Sequence, residues 1–158
     1  MLPSFKRMRL PRFVGMALGA ILLAGSAVSA MAEDMKVEAR LIWGTDTENK
    51  ANHKVEDHRL TEDLARIFKW KNYYQITNCT AVIASDVTHS MDMSTKCTVK
   101  IKNMGASKVE VSCFGDGKFV SKGIYSLSEG KWLTLAGSDK NDSAWFVVML
   151  SRNPKGGD

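Results

Sequence analysis

Two runs of alternating apolar and polar residues in the middle of the chain constrain the fold more than any other feature. The apolar positions of both runs are odd-numbered: Cys97, Val99, Ile101, Val109, Val111 and Cys113. Successive side chains of a strand point to opposite faces, so each run predicts a strand with one buried and one solvated face. The turn-forming segment 103–106 separates the runs. The pattern therefore predicts an antiparallel hairpin.

The spacing of the two runs also predicts the register of this hairpin. Partners must lie on the same face, so the numbers of paired residues add to an even value, which excludes a two-residue loop. A sum of 210 places Lys100 opposite Glu110, whereas 208 places it opposite Lys108. Opposite charges across a strand pair contribute about 0.5 kcal/mol, which favours 210. In that register Cys97 and Cys113 are direct partners, and they become the candidate disulfide of an exported protein.

The remaining strand-like segments lie on both sides of the hairpin. They cover 37–43, one or two strands within 70–83, and then 118–125, 131–136 and 144–150. The last of these is apolar without interruption from residue 145, which predicts a strand covered on both faces. About seven or eight short strands at close spacing predict a mainly β protein, an antiparallel β-sandwich or a small barrel.

A single short helix is predicted over Thr61–Trp70, with Thr61 as its N-cap. Four apolar residues recur there at helical spacing, and they are Leu60, Leu64, Ile67 and Phe68. If this helix packs on an antiparallel sheet, the fold belongs to the α+β class instead. The polar segments 44–57 and 85–96 predict surface connections. His53 and His58 are also interpreted as part of a solvated polar loop, since their spacing of five fits neither one helix face nor one strand face.

The first 32 residues have the pattern of a cleavable secretory signal peptide. A basic cluster within 6–12 precedes an uncharged run that ends in the small residues around Ala30 and Ala32. We predict cleavage before Glu33, with cleavage after Ala30 as the second choice and an uncleaved anchor as the alternative. The predicted organisation is a signal at 1–32, one β-rich domain at 33–150 and a C-terminal tail at 151–158. The pattern predicts export to the periplasm or the medium of a bacterium.

Removal of the signal changes the charge balance of the protein. The signal carries four of the 22 basic residues and none of the 17 acidic ones, which leaves a nearly neutral chain. Nucleic-acid binding depends on neutralising several phosphates, so the composition argues against a nucleic-acid partner. We also expect no stable membrane span after cleavage. The predicted partner is therefore an unidentified protein or a component of the cell envelope.

The strongest chemical motif is a histidine and two methionines at alternate positions. If this stretch is extended, His89, Met91 and Met93 share one face of a strand. Imidazole and thioether ligands together suit Cu(I), which makes copper the alternative cofactor. The competing interpretation is an irregular connection whose methionines fill space beneath the sheet.

Exposed aromatic residues are the other candidate for recognition. Trp70 ends the predicted helix beside two lysines and is the residue expected to be partly exposed. Together with Tyr73 and Tyr74 it forms a candidate recognition surface. Cys79 is the third cysteine, and its partner stays open. No catalytic residue, phosphate loop, zinc motif or dinucleotide fingerprint is found. The sequence therefore predicts an exported, non-enzymatic binding domain.

Overall fold

A computed structural model describes residues 33–139 and 142–152, which form two antiparallel sheets and one helix. The elements in chain order are β1 (Met35–Thr45), β2 (His53–Lys54), α1 (His58–Ile67), β3 (Asn72–Ile83), β4 (Thr88–Ser94), β5 (Cys97–Gly105), β6 (Lys108–Gly115), β7 (Lys118–Ser126), β8 (Trp132–Ser138) and β9 (Ala144–Ser151). The large sheet has the strand order β2-β3-β1-β9-β8, and the small sheet has the order β4-β5-β6-β7.

The two sheets pack face to face around the main core. Their inner faces contribute alternate residues, as expected where one face of each strand is buried. Those with no more than 1% exposure include Val37, Ala39, Ile83, Met93, Val99, Ile101, Val109, Val111, Cys113, Val147 and Met149. The predicted mainly β, sandwich-like fold is confirmed, and within the described residues neither sheet closes into a barrel.

The helix covers part of the other face of the large sheet and forms a second core. Leu60 and Leu64 of α1 pack in the same cluster as Ile42, Phe146 and Val148. Strand β9 therefore contributes its odd-numbered residues to one core and its even-numbered residues to the other. This explains the uninterrupted apolar run and confirms that the strand is covered on both faces. The predicted packing of a helix on an antiparallel sheet also describes this outer layer.

The helix begins three residues earlier than predicted and ends at Ile67 rather than Trp70. Asp57 is the N-cap, and its carboxylate accepts a hydrogen bond of 3.1 Å from the Leu60 backbone N–H. The predicted cap, Thr61, lies inside the helix and donates its hydroxyl to the Asp57 carbonyl oxygen. Ile67 is 71% exposed and does not belong to the buried face. Asp57, whose carboxylate precedes the apolar repeat, was therefore a better sequence signal for the N-cap than Thr61.

The predicted register of the central hairpin is wrong by two residues. Lys102, not Lys100, lies opposite Glu110. The strands are joined by a two-residue turn at Ala106 and Ser107, whose φ angles of 49° and 57° are those of a hairpin turn. A bulge before Gly105 shifts the register, so a two-residue loop coexists with odd-numbered residues on both inner faces.

Two polar segments contain strands that the sequence pattern did not predict. The two-residue strand β2 lies within 44–57 and pairs with β3, and β4 occupies most of 85–96. At the other end, β9 continues through Ser151, and Arg152 donates a backbone hydrogen bond to Lys36. The chain is therefore held in place for two residues beyond the predicted domain end.

Two predicted segments lie outside the described residues: the signal peptide at 1–32 and most of the tail, 153–158. Within the part of the chain that is described, no helix is both long and apolar enough to cross a membrane.

Candidate functional site

A polar groove of about 620 Å³ lies on the large sheet, next to the helix start. It is lined by side chains of β1, β2, β3 and the turn before α1, and these are Arg40, His53, Lys54, Glu56, Asp57, Gln75 and Asn78. The groove forms on the helix-bearing face because Ile42, two residues from Arg40 on β1, belongs to the helix-side core. A concave surface with convergent polar groups is the usual form of a binding site.

Three charged residues form a network beside this groove, and Arg40 is the member that lines it. The carboxylate of Glu38 accepts hydrogen bonds from Arg40 Nε at 2.7 Å and from Arg152 Nε at 2.6 Å. Glu38 is only 7% exposed, so both arginines are needed to compensate for its burial. The Arg40 guanidinium also lies 5.1 Å above the ring of Trp132. These contacts hold the Arg40 side chain in one orientation.

The two arginines also decide the protonation state of Glu38. Burial raises the pKa of this carboxyl, but hydrogen bonds from Arg152 and Arg40 and their positive charges lower it. The net result is a pKa below the ordinary value, because the ionised form keeps both partners. Glu38 is therefore a carboxylate at neutral pH, which makes it an anchor for the arginines and a poor proton donor.

Asp57 connects this network to the helix. One carboxylate oxygen caps α1, and the other lies 3.7 Å from an Arg40 terminal nitrogen. Asp57 also lines a second cavity of about 190 Å³, together with Arg59, Trp132 and Arg152. Arg40 lies over Trp132, so the two cavities adjoin across this pair. The position of the helix start thus determines the shape of the groove.

Sequence reasoning did not predict this groove. Glu38 and Arg40 are the polar members of an alternating strand, a pattern that ordinarily indicates a solvated face. His53, Glu56 and Asp57 belong to a segment interpreted as a surface loop. The sequence signal that could have indicated the groove was the pair of opposite charges, Glu38 and Arg40, at alternate positions before Ile42. The position of Arg40 opposite Asn78 follows only from the register of β1 with β3.

The candidate disulfide does not form. Cys97 lies opposite Gly115 and Cys113 lies opposite Val99, because the register differs by two from the predicted one. Both thiols are free, as is Cys79. Burial, with a smaller contribution from Cys113, raises the pKa of Cys97 to about 11. Burial also raises the pKa of Cys113, so both thiols are protonated and weakly nucleophilic at neutral pH.

The histidine and methionine motif lies on strand β4, as its hypothesis required. Met91 and Met93 are 4% and 1% exposed and point into the main core, whereas His89 is exposed. The methionines therefore fill space beneath the sheet, but as part of a strand rather than an irregular connection. Within the described residues, no three His, Cys, Asp or Glu side chains are grouped to hold a metal ion. Copper binding stays a prediction.

The predicted aromatic recognition surface is wrong in two of its three residues. Tyr73 is 4% exposed and donates its hydroxyl to the Leu64 carbonyl oxygen, and Tyr74 is fully buried. Trp70 is partly buried and donates its indole N–H to the Asp142 carbonyl oxygen at 3.0 Å. These rings attach the helix and its neighbouring loops to the large sheet, so they do not form an exposed patch.

The chemistry of the groove is set by the side chains that line it. Among its described lining residues there is no Ser, Thr, Cys or Tyr side chain, and therefore no hydroxyl or thiol that His53 could activate. The lining instead combines cations, carboxylates and side-chain amides. No family model, curated protein or solved structure matches this chain.

Proposed function

We propose that this chain is an exported, non-enzymatic binding module that holds a polar ligand in the groove around Arg40. The ligand is a segment of a partner protein or a component of the cell envelope. One observation carries the proposal: the groove is lined by Arg40, whose side chain is held in place by the carboxylates of Glu38 and Asp57. Preorganised polar groups reduce the entropic cost of binding.

The groove also offers groups that no protein contact uses. The side chains of Lys54, Glu56, Gln75 and Asn78 form no hydrogen bond or ion pair with other described residues. Amide side chains both donate and accept hydrogen bonds, and the two charges have opposite sign. A ligand that carries donors and acceptors along its length, such as a peptide backbone or a polyhydroxylated envelope component, satisfies this set.

A pull-down with matched variants tests the groove. The bait is the mature chain, incubated with periplasmic or culture-supernatant extract of the source bacterium. Replacement of two partnerless groove residues, Lys54→Ala with Gln75→Ala, is expected to reduce capture of the ligand at least ~10-fold, because each lost polar contact costs about 1 kcal/mol. The control, Thr88→Ala with Lys96→Ala, changes two exposed residues of the small sheet and should capture as wild type does. Equal capture by the groove variant, or no reproducible capture by wild type, contradicts the proposal.

The second candidate function is Cu(I) binding, favoured by the sulfur atoms on the inner face of the small sheet. Met91, Met93, Cys97 and Cys113 all contribute to the same core cluster. Thioether and thiolate sulfurs are the soft ligands that Cu(I) prefers. Under this hypothesis the exposed His89 lies at the rim of the site rather than at its centre.

An anaerobic Cu(I) titration against a competing chelator tests this candidate. Met91→Leu with Met93→Leu removes both thioethers while nearly conserving core volume, so the fold should persist. A copper-binding protein would lose at least ~10-fold in affinity, since two soft ligands are gone. The matched control is Met104→Leu, a 41% exposed methionine outside this cluster. Unchanged affinity in the double variant removes copper from consideration.

A further inference from the structure

The second cavity, of about 190 Å³, adjoins the polar groove at the start of the helix. Its lining combines two arginines, one carboxylate, one indole and two apolar or small residues, and these are Asp57, Arg59, Gly130, Trp132, Leu150 and Arg152. A water molecule takes up about 30 Å³ in the liquid, so the cavity has room for one small polar group and the atoms attached to it. Its size therefore suits a functional group of a ligand.

The hydrogen-bond donors around this cavity are largely unused. The exposed Arg59 side chain forms no hydrogen bond or ion pair with the described residues. Arg152 donates through Nε to Glu38 at 2.6 Å, and its two terminal amino groups have no hydrogen-bond partner in the part of the chain that is described. The indole N–H of Trp132 donates no hydrogen bond within residues 33–139 and 142–152. Arginine and tryptophan side chains donate and do not accept, so three residues offer donors to a ligand.

The carboxylates beside these donors are already engaged. One oxygen of Asp57 accepts a hydrogen bond from the Leu60 backbone N–H, and the other lies 3.7 Å from Arg40. Glu38 accepts hydrogen bonds from both Arg40 and Arg152. A cationic ligand would therefore compete with existing partners for each carboxylate, whereas an oxyanion would find donors without partners.

Arg152 and Trp132 are held in position by contacts within the protein. The Arg152 Nε is fixed by the buried Glu38 carboxylate, and its backbone N–H donates to the Lys36 carbonyl oxygen at 2.7 Å. The Trp132 ring is covered by the Arg40 guanidinium, 5.1 Å from the ring centroid. A planar guanidinium whose orientation is set in advance matches the oxygens of a phosphate or carboxylate and loses less entropy on binding.

We propose that this cavity is an oxyanion subsite, which binds a phosphate or carboxylate group of the ligand in the groove. Arg59 and the terminal amino groups of Arg152 donate to the anion, and Trp132 forms the wall of the subsite. The inference rests on the proposed function, because the two cavities adjoin and one ligand spans both. It adds the ligand's chemical class: a polar molecule with an acidic group, which is either a phosphate ester or a carboxylate.

An NMR titration of the mature chain with glucose 6-phosphate, glucuronate and glucose tests the subsite. Glucose is the neutral match of both anions, so it isolates the contribution of the acidic group. We expect at least one anion to shift the Trp132 indole N–H signal and to bind at least ~10-fold more tightly than glucose, because charge-assisted hydrogen bonds are the strong ones. The anion with the lower Kd identifies the source of the oxyanion.

Variants of the two arginines test the assignment of the donors. Arg59→Gln is expected to weaken binding of that anion at least ~10-fold, because it removes a charged donor that the fold itself does not use. Arg152→Lys keeps a cation beside Glu38 but loses the planar fork, and we expect affinity to fall ~3-fold or more. The matched control is Arg66→Gln, which changes a 75% exposed arginine of the same helix that lines neither cavity and should bind as wild type does.

Three results would overturn this inference. They are equal affinity for glucose and both anions, unchanged affinity in Arg59→Gln, and anion binding that leaves the Trp132 signal in place. The groove variant, Lys54→Ala with Gln75→Ala, retains every residue of the subsite and should still bind the anion. Anion binding without capture in the pull-down therefore contradicts only the proposed function, and capture without anion binding contradicts only the subsite.

Discussion

Replacement of Phe146 by Ala is expected to lower the free energy of unfolding by about 3–5 kcal/mol, the range for a fully buried phenylalanine. Phe146 has no exposed surface, and its side chain packs between β9 of the large sheet and the helix. Its ring centroid is 4.5 Å from Phe68, 5.8 Å from Trp70 and 6.0 Å from Tyr73. The substitution therefore removes the central ring of an aromatic cluster as well as buried area.

The same substitution should also affect the groove. Helix α1 is attached to the large sheet by this cluster, and its N-cap, Asp57, forms part of the groove wall. Urea unfolding followed by tryptophan fluorescence measures the stability change. Phe119→Ala is the control, since its side chain is 62% exposed and the expected change is within about 0.5 kcal/mol. A loss of less than about 1 kcal/mol for Phe146→Ala would show that the helix does not depend on this ring.

Glu38→Gln is expected to destabilise the fold by about 2–4 kcal/mol at pH 7. The neutral amide can still accept a hydrogen bond, but it leaves Arg40 with only the more distant carboxylate of Asp57, 3.7 Å away, as compensating charge. The Arg40 side chain is only 12% exposed, so its charge is poorly solvated, whereas the Arg152 side chain is 46% exposed and is affected less. Breaking a buried pair on one side is costly because the partner's charge remains.

The lowered pKa of Glu38 predicts how the difference in unfolding free energy between wild type and Glu38→Gln depends on pH. A carboxyl that is more acidic in the folded state contributes stability that is present above its unfolded pKa of 4.5. This contribution is lost as the pH falls through the lower pKa of the folded state. The gap between wild type and Glu38→Gln should therefore stay constant from pH 7 to about 5 and narrow below that.

Urea titrations of both proteins between pH 7 and pH 3 measure this gap. Glu62→Gln is the matched control, since Glu62 is an exposed residue of α1 and should change stability by less than about 0.5 kcal/mol. Glu38→Leu with Arg40→Met replaces both charges by apolar groups and should cost less than the single Glu38→Leu change. A gap that persists undiminished at pH 3 would show that Glu38 ionisation does not hold the arginines.

The central hairpin shows that the alternation of apolar and polar residues predicts the buried face of a strand but not its register. The odd-numbered apolar residues from Cys97 to Cys113 do occupy one buried face. The partner of each residue depended on a bulge before Gly105, and a bulge leaves no mark in the alternation. The two-residue turn and this extra residue together place Cys113 opposite Val99 rather than Cys97. The predicted disulfide failed for the same reason.

The aromatic residues after the helix show the same limit in a different form. Their position beside Lys69, Trp70 and Lys71 in the sequence suggests that Tyr73 and Tyr74 belong to a recognition surface. In the fold, Tyr74 lies opposite Trp43 on β1, and the Tyr73 hydroxyl reaches back to the helix carbonyl of Leu64. The sequence neighbours of a residue predict its solvent exposure poorly when a distant residue packs against it, as Trp43 does against Tyr74 from 31 positions away.

The sequence by itself determined the mainly β, sandwich-like class, the single short helix, and the double burial of β9. These properties follow from the period of apolar residues, and that period is local. Only the tertiary structure decided the hairpin register, the burial of the tyrosines, and the network of Glu38, Arg40 and Arg152 beside the groove. Glu38 and Arg152 are 114 positions apart. Charges so distant come together only when the order and register of the strands are set, and no short-range pattern encodes that order.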